Sequence, residues 1–240
     1  MSSAVTLEYR GKIAIISIDN QKKLNVATKD QVFITVLTGK GRYFSARRCF
    51  LHRRLRLPLP GYRRLQEHWL KIFVAYNLNI TQAFYTHSKI LVSALNGPAI
   101  GISAALIAFS DFIYCVPSKF LLTPFSSLGL VAEGGASRVF VQRLGISKAN
   151  EALIMSKRIT AEELLQVGFV NKIFDVEERL GDHLIGDSMT KIKALIRKPE
   201  IEAMDTQGVG EVFAGWERFQ AGIPQKEFAK IASGEKRHKL

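Results

Sequence analysis

The chain has 240 residues, 47% of them hydrophobic, and a formal net charge of +13. That length holds one domain, or one domain plus a helical appendage, and the apolar content is ample for a core. Cys49 and Cys115 are the only cysteines. This excludes a disulfide framework and a zinc pattern, and suits a reducing compartment.

The first residues, MSSAVTLEYRGK, lack the apolar stretch of a signal peptide. Val5 to Arg10 and Ile13 to Asp19 alternate around Gly11-Lys12 and predict a strand pair. Val32 to Leu37 is a further strand. Residues 47–64 hold seven arginines and no acid, so the positive charge is uneven. Basic charge can signal nucleic acid or an anionic substrate. Pro58, Pro60 and the lack of a clear period argue against a nucleic-acid surface. Trp69 to Phe84 reads as helical.

Ile90 to Ser110 is uncharged for 21 residues, long enough to raise a membrane span. The turn at Asn96-Gly97-Pro98 divides it into a buried strand, Lys89 to Leu95, and a buried Ala-rich helix, Ile102 to Phe109, which is the better reading. Phe112 to Val116 predicts a second buried strand. The helix beginning near Gly101 offers free amides and a positive dipole end. Glu133 follows among Leu128, Leu130, Val131 and Ala132, just before Gly134-Gly135. A carboxylate in apolar surroundings has a raised pKa and can act as a base. Anion-binding amides with one base suit proton abstraction beside a carbonyl. The alternative is a glutamate that only serves a helix dipole or cap.

Farther on, Gly135 to Leu144 predicts a helix closed by Gly145, followed by Lys148 to Met155. Thr160-Ala161-Glu162-Glu163 has the form of a capping box opening Ala161 to Val167. Gly168 to Phe174 predicts a return strand. Leu180 to Ile196, Glu200 to Met204 and Val212 to Ala232 predict helices, the last with a break at Gly222 to Pro224. His52, His68, His87, His183 and His238 show no metal-ligand spacing, and Ser45 and Ser103 have no His/Asp partners that sequence can place.

The NGPAIGISAAL run, Asn96 to Leu106, followed by GLVAEGG, Gly129 to Gly135, resembles the crotonase (enoyl-CoA hydratase/isomerase) superfamily. Within it the chain looks most like the fungal peroxisomal delta-3,delta-2-enoyl-CoA isomerases. The resemblance is close from Trp69 to Phe174 and looser to the C-terminus. It implies an α/β fold, a crotonase-like spiral of ββα units with a C-terminal helical region. The expected units are residues 1–175 and 176–240.

Two departures from the family's pattern stand out. The NQKKLNV signature at Asn20 to Val26 is followed by Ala27 to Gln31, where the family places a helix. Gly39 to Ala46 (GKGRYFSA) matches, but Arg47-Arg48-Cys49 replaces the expected Gly-Ala-Asp. From Arg47 to His68 the resemblance vanishes, which reads as translation in another frame or a mispredicted splice junction. A divergent basic loop meeting the coenzyme A phosphates is the alternative.

The resemblance also implies a mechanism. A 3-enoyl-CoA thioester carbonyl lies between the amides of Ile102, beside Gly101, and of the position held by Arg48, after Ala46. Glu133 moves a proton from C2 to C4, and Asn77 lies near the acyl pocket. No metal or redox cofactor is implied; coenzyme A enters as the substrate thioester. Hydratases use two glutamates, at positions that fall on Ala105 and Phe125 here. No second acid near Glu133 is evident for dienoyl-CoA isomerase chemistry. A non-catalytic scaffold or RNA binder of the same fold is the rival from another class. The family implies a homotrimer or hexamer acting on fatty acyl-CoA. His238-Lys239-Leu240 resembles a peroxisomal address read by an import receptor, implying the peroxisomal matrix.

Overall fold

The computed structural model describes residues 5–11, 13–18, 32–45, 62–174 and 185–236. The NQKKLNV signature, the gap beside Gln31, the Arg47-Arg48-Cys49 substitution and the His-Lys-Leu tail lie outside the described residues.

Strands β1 (Val5–Arg10) and β2 (Ile13–Ile18) form the expected antiparallel pair, with Val5 opposite Ile18 and Arg10 opposite Ile13. Alternation puts Ala14 and Ile16 in the core while Ile13 and Ile15 stay half-buried. Strands β3 (Ile34–Gly39), β4 (Ile90–Leu95), β6 (Phe112–Cys115) and β9 (Lys172–Ile173) continue the sheet in parallel, giving the order β1-β2-β3-β4-β6-β9. β4 has no exposed residue, as a central parallel strand covered on both faces should. Its one hydroxyl, Ser93, meets Ser110 at 2.7 Å. A smaller sheet of β5 (Ala99–Ile100), β7 (Phe120–Leu122) and β8 (Ile159–Thr160) stands beside it.

Helix α1 (Tyr62–Trp69) runs through one π turn (Leu70–Val74) into α2 (Ala75–Tyr85). Residues 62–68, where the family resemblance is lost, are therefore part of a helix continuous with a matching one. Helix α3 (Ile102–Ile107) is short and buried. Helix α4 (Ala136–Leu153) is kinked at Gly145, whose φ of 73° and ψ of 157° separate the two helical pieces expected there. Helix α5 (Ala161–Gln166) opens on the expected capping box: Thr160 accepts from the Glu163 amide, and Glu163 accepts from the Thr160 amide.

The C-terminal region departs from expectation. A single helix, α6 (Gly186–Gln220), replaces the predicted separate pieces, and α7 (Ile223–Ala232) follows the Gly222 break. Pro199 and the glycines at 208, 210 and 215 read as helix breakers, but packing overrides them. A Cβ on Gly215 would stand 2.6 Å from the Phe73 ring. The glycine thus lets α6 lie directly on the π turn. Trp69 stacks on Phe219 with ring centroids 4.4 Å apart, and Phe73 meets the same ring at 4.8 Å. Met204, Val212 and Phe219 belong to the same core as the sheet.

A polar contact fixes the other end of α6. Asp111, at the start of β6, holds Lys193 at 2.7 Å and Arg197 at 3.2 Å, and accepts from the Leu91 amide at 2.8 Å. Lys193 is buried and also donates to the Lys89 carbonyl at 2.5 Å.

Candidate active site

The loops that follow β3 and β4 meet at the C-terminal end of the sheet, where open parallel sheets place their ligand crevices. Asn96 joins them: its Oδ1 accepts from the Gly39 amide at 2.9 Å and its Nδ2 donates to the Gly41 carbonyl at 2.8 Å. Ser45 then runs beside β5, bridging to Ala99 and accepting from the Ile100 amide at 3.0 Å. The Ser45 and Ser103 hydroxyls are 2.7 Å apart. Gly101, the N-cap of α3, donates to the Leu122 carbonyl at 2.8 Å. Ile102 is the first helical residue, so its amide has no acceptor within the helix. Ala46 and Arg48, where the second anion-binding amide is expected, lie outside the described residues.

Glu133 lies on the loop between the 3₁₀ turn at Ser126–Leu128 and α4. It is 8% exposed. Asn77, from α2, donates to its Oε2 at 2.8 Å. The orientation of Asn77 is determined by a second bond, since its Oδ1 accepts from the Gly134 amide at 3.2 Å. Thr81, one turn along α2, also donates to that oxygen at 3.4 Å. Burial pushes the Glu133 carboxyl from 4.5 up to about 7, opposed by the Asn77 bond and reinforced by the charge of Glu211.

The turn after Glu133 strongly favours glycine. Gly134 and Gly135 have φ of 70° and 74°, and a Cβ on Gly134 would press at 3.1 Å on both Ile102 and Ala105. The Glu133 loop therefore rests on α3, the helix that presents the Ile102 amide. The expected site residues Glu133, Asn77, Gly101 and Ile102 thus share one neighbourhood.

Glu211, on α6, is the residue that sequence reading missed. It is 6% exposed, and its carboxylate accepts from the Gly135 amide at 2.6 Å, the Ser137 amide at 2.8 Å and the Ser137 hydroxyl at 2.5 Å. The expectation that no second acid lies near Glu133 is thereby corrected. Seventy-odd residues of chain separate the two, and no local spacing signals their approach. Glu211 also decides between the two readings of Glu133: the amides at the start of α4 are held by Glu211, whereas Glu133 faces Asn77.

Ala105 and Phe125, at the positions expected to correspond to the hydratase glutamates, are buried and apolar. Among the described residues no cluster of three His, Cys, Asp or Glu could hold a metal ion, and no helix is long and apolar enough to cross a membrane.

Residues 16–200 match the family model described as enoyl-CoA hydratase/isomerase, so the chain belongs to that family. Across 285 aligned positions it is 53% identical to the Delta(3,5)-Delta(2,4)-dienoyl-CoA isomerase of Pyricularia oryzae, covering 100% of each chain. At least 45 of those 285 positions hold no residue of this 240-residue chain, in keeping with an internally shortened sequence. It is also 31% identical to the 3,2-trans-enoyl-CoA isomerase of Saccharomyces cerevisiae, over 87% of this chain and 81% of that one. A solved enoyl-CoA hydratase/isomerase from Pseudoalteromonas atlantica superposes with a TM-score of 0.76 at 19% identity, over 99% of this chain and 100% of that one, which shows the shared crotonase fold.

Proposed function

We propose that this chain shifts a carbon–carbon double bond in fatty acyl-CoA thioesters, moving a 3-enoyl-CoA to the 2-trans isomer, with Glu133 as the proton carrier. The observation that carries this is one buried carboxyl, held by Asn77 beside α3 and tuned to about 7. A base with that pKa is half-ionised near neutrality, where proton transfer in both directions is most efficient.

The proposed steps are these. The thioester oxygen takes the Ile102 amide and a second amide from the position of Arg48. Ionised Glu133 removes a C2 proton, and the electron pair enters the thioester as an enolate conjugated with the C3–C4 double bond. Protonated Glu133 then delivers the same proton to C4. The double bond now lies between C2 and C3, and Glu133 is regenerated. The base contributes roughly 10² to 10⁴ in rate, and each amide donor about 10² to 10³. Water addition has no support, since Ala105 and Phe125 supply no acid/base pair. The resemblance of His238-Lys239-Leu240 to a peroxisomal address supports the peroxisomal matrix as the proposed location, and a trimer or hexamer is the expected assembly.

A second reading is favoured by the full-length similarity to the Pyricularia oryzae protein. In a 3,5-dienoyl-CoA the same C2 deprotonation gives a longer enolate, and protonation at C6 yields the 2,4-dienoyl isomer. Turnover of both substrates, measured side by side with the purified chain and Glu133→Gln, separates these readings. The 3-enoyl reading expects faster turnover of the 3-enoyl thioester. Preference for the dienoyl substrate would transfer the assignment. A folded protein inactive on both would overturn the isomerase reading and favour a non-catalytic scaffold.

A further inference from the structure

Helix α4 begins without help from its own sequence. Its N-cap is Gly135, which has no side chain, and its first turn holds no acid. Amides at such a start need an acceptor, and their dipoles favour an anion. Glu211 supplies both from α6, across the core. It closes on Gly135 and Ser137 through the three hydrogen bonds described above. Gln207, one turn earlier on α6, donates to the Ser137 hydroxyl at 2.6 Å. The Gly134–Gly135 turn is therefore gripped from two sides, by Asn77 at the Gly134 amide and by Glu211 at the Gly135 amide. Glu133 is the residue immediately before this turn.

We propose that Glu211 is a positioning residue for the isomerase site: it locks the turn that aims the Glu133 carboxyl and places a second negative charge behind it. It touches no reacting atom. It also makes the C-terminal helix part of the site, since α6 brings Glu211 to a loop that β7 and the 3₁₀ turn deliver. The inference rests on Glu133 acting as proton carrier.

The charged surroundings leave Glu211 as the group acting on Glu133. Among the described residues, Arg138 is engaged by Glu200, Arg143 by the Ser110 carbonyl, Arg218 by the Gly129 carbonyl and Asp205 by the Tyr85 phenol. Burial pushes the Glu211 carboxyl itself above its ordinary range, against hydrogen bonds from Ser137 and Gly135 that favour the ionised form. The charge of Glu211 adds to the upward shift of the Glu133 carboxyl. Removing the charge of Glu211 lets Glu133 ionise at lower pH.

The test is the pH profile of kcat and KM for the full chain, its Glu211→Gln variant and Glu133→Gln, each first shown to be folded by circular dichroism. Glu211→Gln keeps the shape but loses charge and one acceptor oxygen. A misaimed base is expected to cost about tenfold to a hundredfold in kcat. KM stays near that of the wild type, and the acidic midpoint of the profile moves to lower pH. A folded Glu211→Gln with unchanged kcat and midpoint overturns the proposal, as does a loss confined to KM. A helix cap that served stability alone would lower the melting temperature and leave the midpoint in place. Should Glu211→Gln fail to fold, Glu211→Asp is read instead. It keeps the charge but cannot reach both amides, so kcat is expected to fall with the midpoint retained; unchanged kcat overturns the proposal. Activity retained in Glu133→Gln would instead refute the base assignment. In that event the carboxyl bands of wild type and Glu211→Gln, followed by infrared titration against Glu133→Gln, still report whether Glu211 moves the Glu133 midpoint.

Discussion

Glu133 is buried among apolar neighbours, and its cost and its use have the same origin. Its folded-state pKa of about 7 lies above the unfolded value of 4.5. The stabilisation from its protonated form is therefore complete below 4.5 and is lost as pH rises through 7. Above that, the ionised group costs the fold about 3 kcal/mol. Glu133→Gln is expected to abolish isomerisation and yet unfold at higher denaturant than wild type at pH 8. The gap should close as pH falls toward 4.5. Chemical denaturation of both proteins across that range checks it; a variant no more stable than wild type at pH 8 would contradict the burial account. Asn77→Ala is expected to raise the acidic midpoint of the rate profile, because it removes the hydrogen bond that favours the carboxylate. At this scale the sequence carried much of the site. A carboxylate flanked by Leu130, Val131 and Ala132 before two glycines is legible because desolvation there is local. Glu211 was illegible because its role depends on where a helix from the far end of the chain comes to rest.

Helix α6 shows how elements are held when local preference is against them. Pro199 and three glycines fragment its pattern, so the sequence predicts separate helices. The continuous helix is stabilised by what it packs on: Phe73 over Gly215 at one end and Asp111 against Lys193 and Arg197 at the other. Breaking a buried ion pair from one side leaves the other charge uncompensated. Asp111→Ala is expected to cost roughly 3 to 5 kcal/mol, since Lys193 would stay buried without its carboxylate. Equilibrium unfolding measures this, and a loss under about 1 kcal/mol would place the pair among exposed bridges of little consequence. Gly215→Val is expected to displace Phe73 and lift α6, lowering activity through Glu211 as well as stability. Short elements with strong local signals, such as the Thr160 capping box and the Gly145 helix break, were legible because their hydrogen bonds and dihedral angles involve neighbours in sequence.

The whole molecule joins a mostly parallel sheet to a helical cover that reaches back into the site. The main strands were legible as short apolar runs punctuated by Gly and Pro, the family resemblance supplied the spiral, and the strand order came only with the fold. What the sequence left open is the segment from Arg47 to His68, where the family resemblance is lost and the second thioester amide is expected. His87 adds a pH response opposite in sign to that of Glu133. Burial and the charge of Lys193 lower its pKa from 6.5 to about 4, so the unfolded chain takes up the proton first. Stability from this group is lost as pH falls from 6.5 toward 4. In Glu133→Gln the opposing contribution is gone, and stability is expected to fall more steeply than in wild type over that interval. Parallel slopes in the two proteins would contradict it.

The most direct test of Glu133 as proton carrier is exchange of the C2 hydrogens of a bound acyl-CoA with deuterated solvent, followed by mass spectrometry in wild type and Glu133→Gln. It requires neither double-bond migration nor a choice between enoyl and dienoyl substrates. Exchange in wild type that rises through a midpoint near 7 and vanishes in the variant is the expected result. Exchange at the same rate in a folded Glu133→Gln would contradict the assignment and move the search for a base to another residue.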